Sequence, residues 1–127
     1  MSNYVLDASA ILAFLNEEPG AEQVAKVINN AVVSAVNMSE VITKLIDAGM
    51  PEEEITLVLD YLSCDIRAYD IDDAWDTAKL RTLTRQKGLS LGDRACIGLA
   101  GKLGMIAITT DKSWKDLQLD VTIELIR

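Results

Sequence analysis

The sequence predicts an α/β protein in three layers, α/β/α, with a central parallel sheet of four to five short strands. Two patterns carry that expectation. Short apolar runs at Tyr4-Val5-Leu6, 31–35 and 105–108 alternate along the chain with stretches whose apolar residues recur at helical spacing. Helices placed between successive strands are what a parallel sheet needs, because its strands are joined by crossovers that cover both faces. A third observation adds chemistry to the architecture. Asp7, Glu40, Asp93 and Asp111 each sit just after an apolar stretch, where a strand or loop would hand over to a helix.

Taken in order, Tyr4-Val5-Leu6 reads as a buried strand, and residues 9–15 as a short helix ended near Pro19-Gly20. Residues 21–28 place Ala21, Val24, Ala25 and Ile28 at i, i+3, i+4 and i+7, an amphipathic helix stopped by Asn29-Asn30. Residues 31–35 are the second strand. A helix over 37–48 puts Val41, Leu45 and Ala48 on one face, with Gly49 as its stop. Pro51 and the acids Glu52, Glu53 and Glu54 open the next helix, since proline and negative charge both suit a first turn. That helix has apolar residues on two faces, Ile55, Val58, Leu59 and Leu62 on one and Leu57 and Tyr61 on the other. Residues 65–69 form a third strand, and 72–87 a long helix with Ala74, Trp75 and Ala78 inward, stopped at Gly88. Residues 92–103 form a helix with Ala95, Cys96, Leu99 and Ala100 inward, and 105–108 a fourth strand. A helical turn near Trp114 and an edge strand over 121–126 complete the chain. With no repeat or linker, one domain spanning 1–127 is expected.

Composition removes several mechanisms. There is no histidine, so a Ser-His-Asp triad, a histidine-paired cysteine nucleophile and a histidine-ligated zinc are all excluded. Cys64 and Cys96 have no metal-ligand spacing. No apolar run approaches the roughly 18 residues of a membrane span. The first one meets an acid at Asp7, without a basic leader before it, so a cytoplasmic protein with no membrane partner is expected. The net charge is −8, unevenly spread. Residues 1–78 carry three basic and fifteen acidic side chains, whereas 79–127 carry nine basic and five acidic. Arg85, Lys87, Arg94 and Lys112 bracket two of the acids, and such asymmetry hints at polyanion contact, although solvated helix faces explain it equally well.

In a parallel sheet the carboxyl ends of the strands share one edge, and ligands bind in the crevice there. Four acids gathered at that edge repel one another, by about 3 kcal/mol per pair at 5 Å and an effective dielectric near 20. Such a cluster takes up protons or holds a cation, and with no histidine a hard ion such as magnesium or manganese is the natural occupant. Each acid also has a capping explanation. Asp7 and Asp111 can cap the helical segments that follow them, while Asn37-Met38-Ser39-Glu40 and Ser90-Leu91-Gly92-Asp93 have the form of capping boxes. The two explanations are compatible, because a helix N-terminus can hold a carboxylate in place. Ser9, two residues after Asp7, and Thr109-Thr110, just before Asp111, add hydroxyls beside the acids, which ordinary turn chemistry also explains.

The segments Val5-Leu6-Asp7-Ala8-Ser9-Ala10, Met38-Ser39-Glu40-Val41, Leu89-Ser90-Leu91-Gly92-Asp93-Arg94-Ala95-Cys96 and Thr109-Thr110-Asp111-Lys112-Ser113-Trp114 resemble those of PIN-domain ribonucleases, most closely the VapC-type toxins of VapBC toxin–antitoxin modules. The third segment is the most specific, and the resemblance runs over essentially the whole chain. It implies a PIN-like α/β/α fold and a metal-dependent endoribonuclease. Asp7, Glu40, Asp93 and Asp111 would be the acidic quartet that binds magnesium or manganese, with Ser9 and Thr110 as accessory groups. It also implies a homodimer neutralised by a small antitoxin protein. A catalytically silent PIN-like module that binds RNA or protein is the alternative. Haloacid-dehalogenase-type phosphatases need a second acid where Ser9 stands, and receiver domains need an acidic pair where Leu6-Asp7 supplies one acid. Arg85, Lys87, Arg94 and Lys112 are expected to track an RNA backbone. The second apolar face of the helix at 52–62, with Leu12 and Leu15, is expected to form the antitoxin groove, leaving the C-terminal half for the self-dimer.

Overall fold

The computed structural model describes residues 3–127. Five parallel strands, β1 (Tyr4–Leu6), β2 (Val32–Ser34), β3 (Asp65–Arg67), β4 (Ile106–Thr109) and β5 (Ile123–Leu125), form one sheet in the order β3-β2-β1-β4-β5. Register pairs Val5 with Val32 and Leu6 with Ile108, so β1 is the central strand. Side-chain alternation along the strands divides the core in two. Leu6, Val33 and Ile108 face one layer, with Ala10, Ile11, Val24, Val41, Ile55 and Leu62. Val5, Val32 and Ala107 face the other, with Cys96, Ile97, Leu99, Ala100 and Trp114. The first layer holds α1 (Ala8–Leu15), α2 (Ala21–Ala25), α3 (Ala35–Asp47) and α4 (Glu52–Leu62), and the second holds α6 (Leu91–Leu103), with α5 (Ile71–Thr84) packed on α6. This is the three-layer α/β/α architecture expected from the alternation of elements.

Several boundaries move for identifiable reasons. The helix expected over 21–28 ends at Ala25, and Ile28 reaches the core from a 3-10 turn, Ile28–Asn30. Helix α3 starts at Ala35, directly from the strand, because the Ser34 hydroxyl accepts from Val36 N at 3.2 Å and serves as the cap. Asn37 is therefore a buried residue inside the helix rather than the start of a capping box. In α5 the expected inward face is wrong. Trp75 is 63% exposed and Ala78 is exposed, whereas Thr77 and Thr84 are buried. The Asp70–Asp73 capping box sets the start of α5, and at Gly98 of α6 the helix comes close through Leu80, Asp76 and Thr77. The third strand stops at Arg67 and lies exposed at the sheet edge. Cys96 is buried, as expected, and Cys64 is also a free thiol. Among the described residues no helix is long and apolar enough to cross a membrane.

Candidate metal centre

The strand order reverses direction between β1 and β4, and in open parallel sheets this switch point is where the crevice at the carboxyl edge opens. Asp7 follows β1 and Asp111 follows β4, so both stand at that crevice. One hydroxyl joins them. Thr109, fully buried at the end of β4, donates to Asp7 Oδ2 at 2.6 Å and accepts from Asp111 N at 3.0 Å. Ser9 donates to Asp7 Oδ1 at 2.7 Å and accepts from Thr110 N at 3.0 Å, which ties α1 to the end of β4. Ser9 thus stands where the sequence indicated. The second hydroxyl at the site belongs to Thr109, and Thr110 contributes its backbone N–H. The pairing of Leu6 with Ile108 puts Thr109 opposite Asp7, a signal available only once the strand register is known.

Glu40 and Asp93 come from α3 and the N-terminus of α6. Because α6 runs back toward the start of β4, its N-terminus lies at the same carboxyl edge. Asp93 forms the expected capping box, its Oδ2 accepting from Ser90 N at 2.9 Å while Ser90 Oγ accepts from Asp93 N at 3.1 Å. Glu40 is exposed, and its Oε1 accepts from Asn37 Nδ2 at 3.1 Å. The same nitrogen donates to Gly92 O at 3.0 Å, so the Glu40 carboxylate sits against the first turn of α6. Three of the acids share one electrostatic environment. The Asp93 charge reaches Asp7, and Asp7, Asp93 and Glu40 all oppose ionisation of the Cys96 thiol beneath them, which burial already raises.

Two observations bear on what these carboxylates could hold. Burial, opposed by hydrogen bonds from Thr109, Ser9 and Ala10 and reinforced by Asp93, pushes the Asp7 carboxyl up to about 6. Among the described residues the ion pairs are Arg67–Asp65, Lys102–Asp73 and Arg127–Glu18, so no basic side chain neutralises the quartet. Each of the other three acids is anchored by one oxygen only. Glu40 uses Oε1, Asp93 Oδ2 and Asp111 Oδ1, the last accepting from Ser113 N at 2.9 Å. The second oxygen of each has no protein partner among the described residues. Capping and ion binding therefore need not compete. As placed, however, no three acidic, cysteine or histidine groups among the described residues are arranged to hold a metal ion together.

The basic residues separate into two kinds. Arg85 and Lys87 lie exposed on the 3-10 turn after α5, and Lys112 lies exposed on the turn after Asp111. Arg94 instead turns toward α5, where Nη1 donates to Thr77 O at 3.1 Å and Nε is buried without a partner.

The PIN domain family model matches residues 4–119, and the chain belongs to that family. Its fold is also that of solved toxin–antitoxin proteins. A DNA-bound VapBC structure from Salmonella typhimurium is 21% identical, with a TM-score of 0.77 and 100% of both chains covered. A toxin–antitoxin complex from Klebsiella pneumoniae is 17% identical, with a TM-score of 0.72, covering 91% of this chain and 92% of that one. VapC20 from Mycobacterium tuberculosis, described as a sarcin-ricin loop cleaving toxin, is 15% identical, with a TM-score of 0.74, covering 94% and 98%. No curated protein matches the chain by sequence.

Proposed function

We propose that this chain is a metal-dependent endoribonuclease and the toxin of a toxin–antitoxin pair. The observation that carries the reading is Asp7, a buried carboxylate at the switch point of a PIN fold, with three further acids at the same edge and no basic side chain among the described residues paired with them. Asp7 and Asp93 would hold magnesium or manganese, and Glu40 and Asp111 would complete the charge or orient the attacking water. When bound, such an ion supplies Lewis acidity to a phosphate oxygen and acidifies a water at neutral pH. Thr109 and Ser9 keep Asp7 in place, and Thr110 closes the edge through its backbone. Arg85, Lys87 and Lys112 are free to meet backbone phosphates, whereas Arg94 adds positive charge from between the helices.

Exposed apolar surface supports the reading of the protein partners. Leu57 and Tyr61 are 68% and 73% exposed on α4. Tyr61 lines a hollow of about 430 Å³ with Phe14, Leu15, Ala21, Ala25 and the acids Glu17 and Glu22, which suits an antitoxin segment, while Leu12 lines a separate hollow with Leu45, Ala48 and the charged Glu18, Lys44 and Arg127. Ile71, Trp75 and Leu83 leave apolar surface on α5, nearer the C-terminal half, for the homodimer. A VapBC neighbour and the Klebsiella complex support an antitoxin partner by likeness of fold. A silent RNA- or protein-binding module is the second reading, favoured by the absence, among the described residues, of a ready trio of ligands. Cleavage of structured RNAs decides between them. The wild type should cut with magnesium or manganese and stop in chelator, and Asp93→Asn should lose at least roughly a hundredfold in rate, as expected when a metal ligand is removed. Full activity in Asp93→Asn or in chelator would leave the silent module.

A further inference from the structure

Gly92 occupies the second position of α6, where a helix gains nothing from glycine. Its backbone is not in the left-handed region, so conformational freedom is not the reason for it. Space is. A Cβ built on Gly92 would collide with Glu40 Oε1 and lie 2.7 Å from both Cδ and Oε2 of the same carboxylate. Asn37 completes the arrangement. It is 1% exposed, and its Nδ2 bridges Glu40 Oε1 and Gly92 O, while its Oδ1 has no partner among the described residues. The Asn37 amide is therefore held at this point only by the carboxylate and by the carbonyl of the residue that makes room for it.

We infer that Gly92 and Asn37 are positioning residues, forming a seat that fixes the exposed Glu40 side chain against the first turn of α6, next to Asp93. The inference deepens the proposed function, resting on the reading of Glu40 as a member of the acidic quartet. A long flexible glutamate at the surface otherwise samples many rotamers, and ordering it for an ion would cost entropy at each binding event. The missing Cβ lets the carboxylate lie on the helix backbone, and the amide donor selects one oxygen.

Gly92→Ala separates this role from a structural one. The colliding group is the end of a flexible side chain that can swing away, and alanine is the better helix former, so the variant should melt at or above the wild-type temperature. It should nevertheless bind manganese roughly tenfold more weakly, the usual effect of disturbing a group that orients a metal ligand. Manganese binding is read by electron paramagnetic resonance on wild type, Gly92→Ala, Glu40→Gln and the double variant. The Asn37 side-chain amide signal is read by nuclear magnetic resonance in metal-free protein. The seat predicts that the Asn37 signal moves in both single variants and that Gly92→Ala adds no further loss in the Glu40→Gln background. Wild-type manganese affinity in Gly92→Ala, a loss undiminished in the double variant, or an unmoved Asn37 signal would overturn the inference while a weakened Glu40→Gln left the acidic site standing. Wild-type affinity in Glu40→Gln would remove Glu40 from the site, and the inference with it.

Discussion

At the scale of single residues, Asp7 carries the most information. Burial raises its carboxyl to about 6 from an ordinary 3.8, so the native state holds this proton more tightly than the unfolded chain does. The stabilisation from that proton is complete below 3.8 and is lost as pH rises through about 6. Above that, ionised Asp7 destabilises the metal-free fold. Asp7→Asn keeps an oxygen to cap α1 and removes the charge. In chelator it should be more stable than wild type near pH 8, by on the order of 2 kcal/mol, with the gap closing near pH 4. Urea unfolding at the two pH values measures it, and a variant less stable at both would show that the charge is compensated. The edge positions of Asp7 and Asp111 were legible because each follows an apolar run that forms a strand, β1 and β4. Thr109 was visible with Thr110 as a hydroxyl beside Asp111, but which of the two faces Asp7 needs the β1–β4 register, and the contact of Asn37 with Gly92 needs α3 and α6 brought together.

At the scale of elements, β1, β2 and β4 were legible because each is a short apolar run between polar turns, whereas β3 is exposed and largely polar and β5 alternates as an edge strand. Helix faces were less so. Helix α4 shows its two apolar faces in sequence, and the structure buries Ile55 and Leu62 while leaving Leu57 and Tyr61 outside. Helix α5 misleads because its buried face uses Thr77 and Thr84, which hydropathy scores as polar, while Trp75 points outward. The exposed pair on α4 yields a prediction. Tyr61→Ala should weaken antitoxin binding by roughly 2 kcal/mol, the scale of an interfacial aromatic anchor. Its melting temperature should stay near that of wild type, because surface substitutions shift stability by about 0.5 kcal/mol or less. Unchanged antitoxin affinity in a Leu57→Ala, Tyr61→Ala double variant, measured by calorimetry, would place the antitoxin elsewhere.

At the scale of the whole molecule, parallel topology turns four distant stretches of sequence into one edge. Asp7 and Asp111 arrive there at strand ends, and Glu40 and Asp93 on helices whose N-termini open at the same edge. The positive charge of residues 79–127 accompanies two of those acids, with Arg85, Lys87 and Lys112 exposed. RNA binding by the inactive Asp93→Asn protein should therefore weaken steeply with salt, by a slope of about one or less per phosphate contact. Reversing the charges of Arg85, Lys87 and Lys112 together should flatten that dependence, whereas reversal without effect would make them a solvated surface. The proposed activity requires Asp7, Glu40, Asp93 and Asp111 to hold a divalent ion together. Anomalous diffraction from crystals soaked in manganese tests it most directly. A peak is expected at the carboxyl edge of the sheet within about 2.5 Å of oxygens from Asp7 and Asp93, with Glu40 or Asp111 drawn toward it. A saturated crystal with no ion at Asp7 and Asp93 would contradict it.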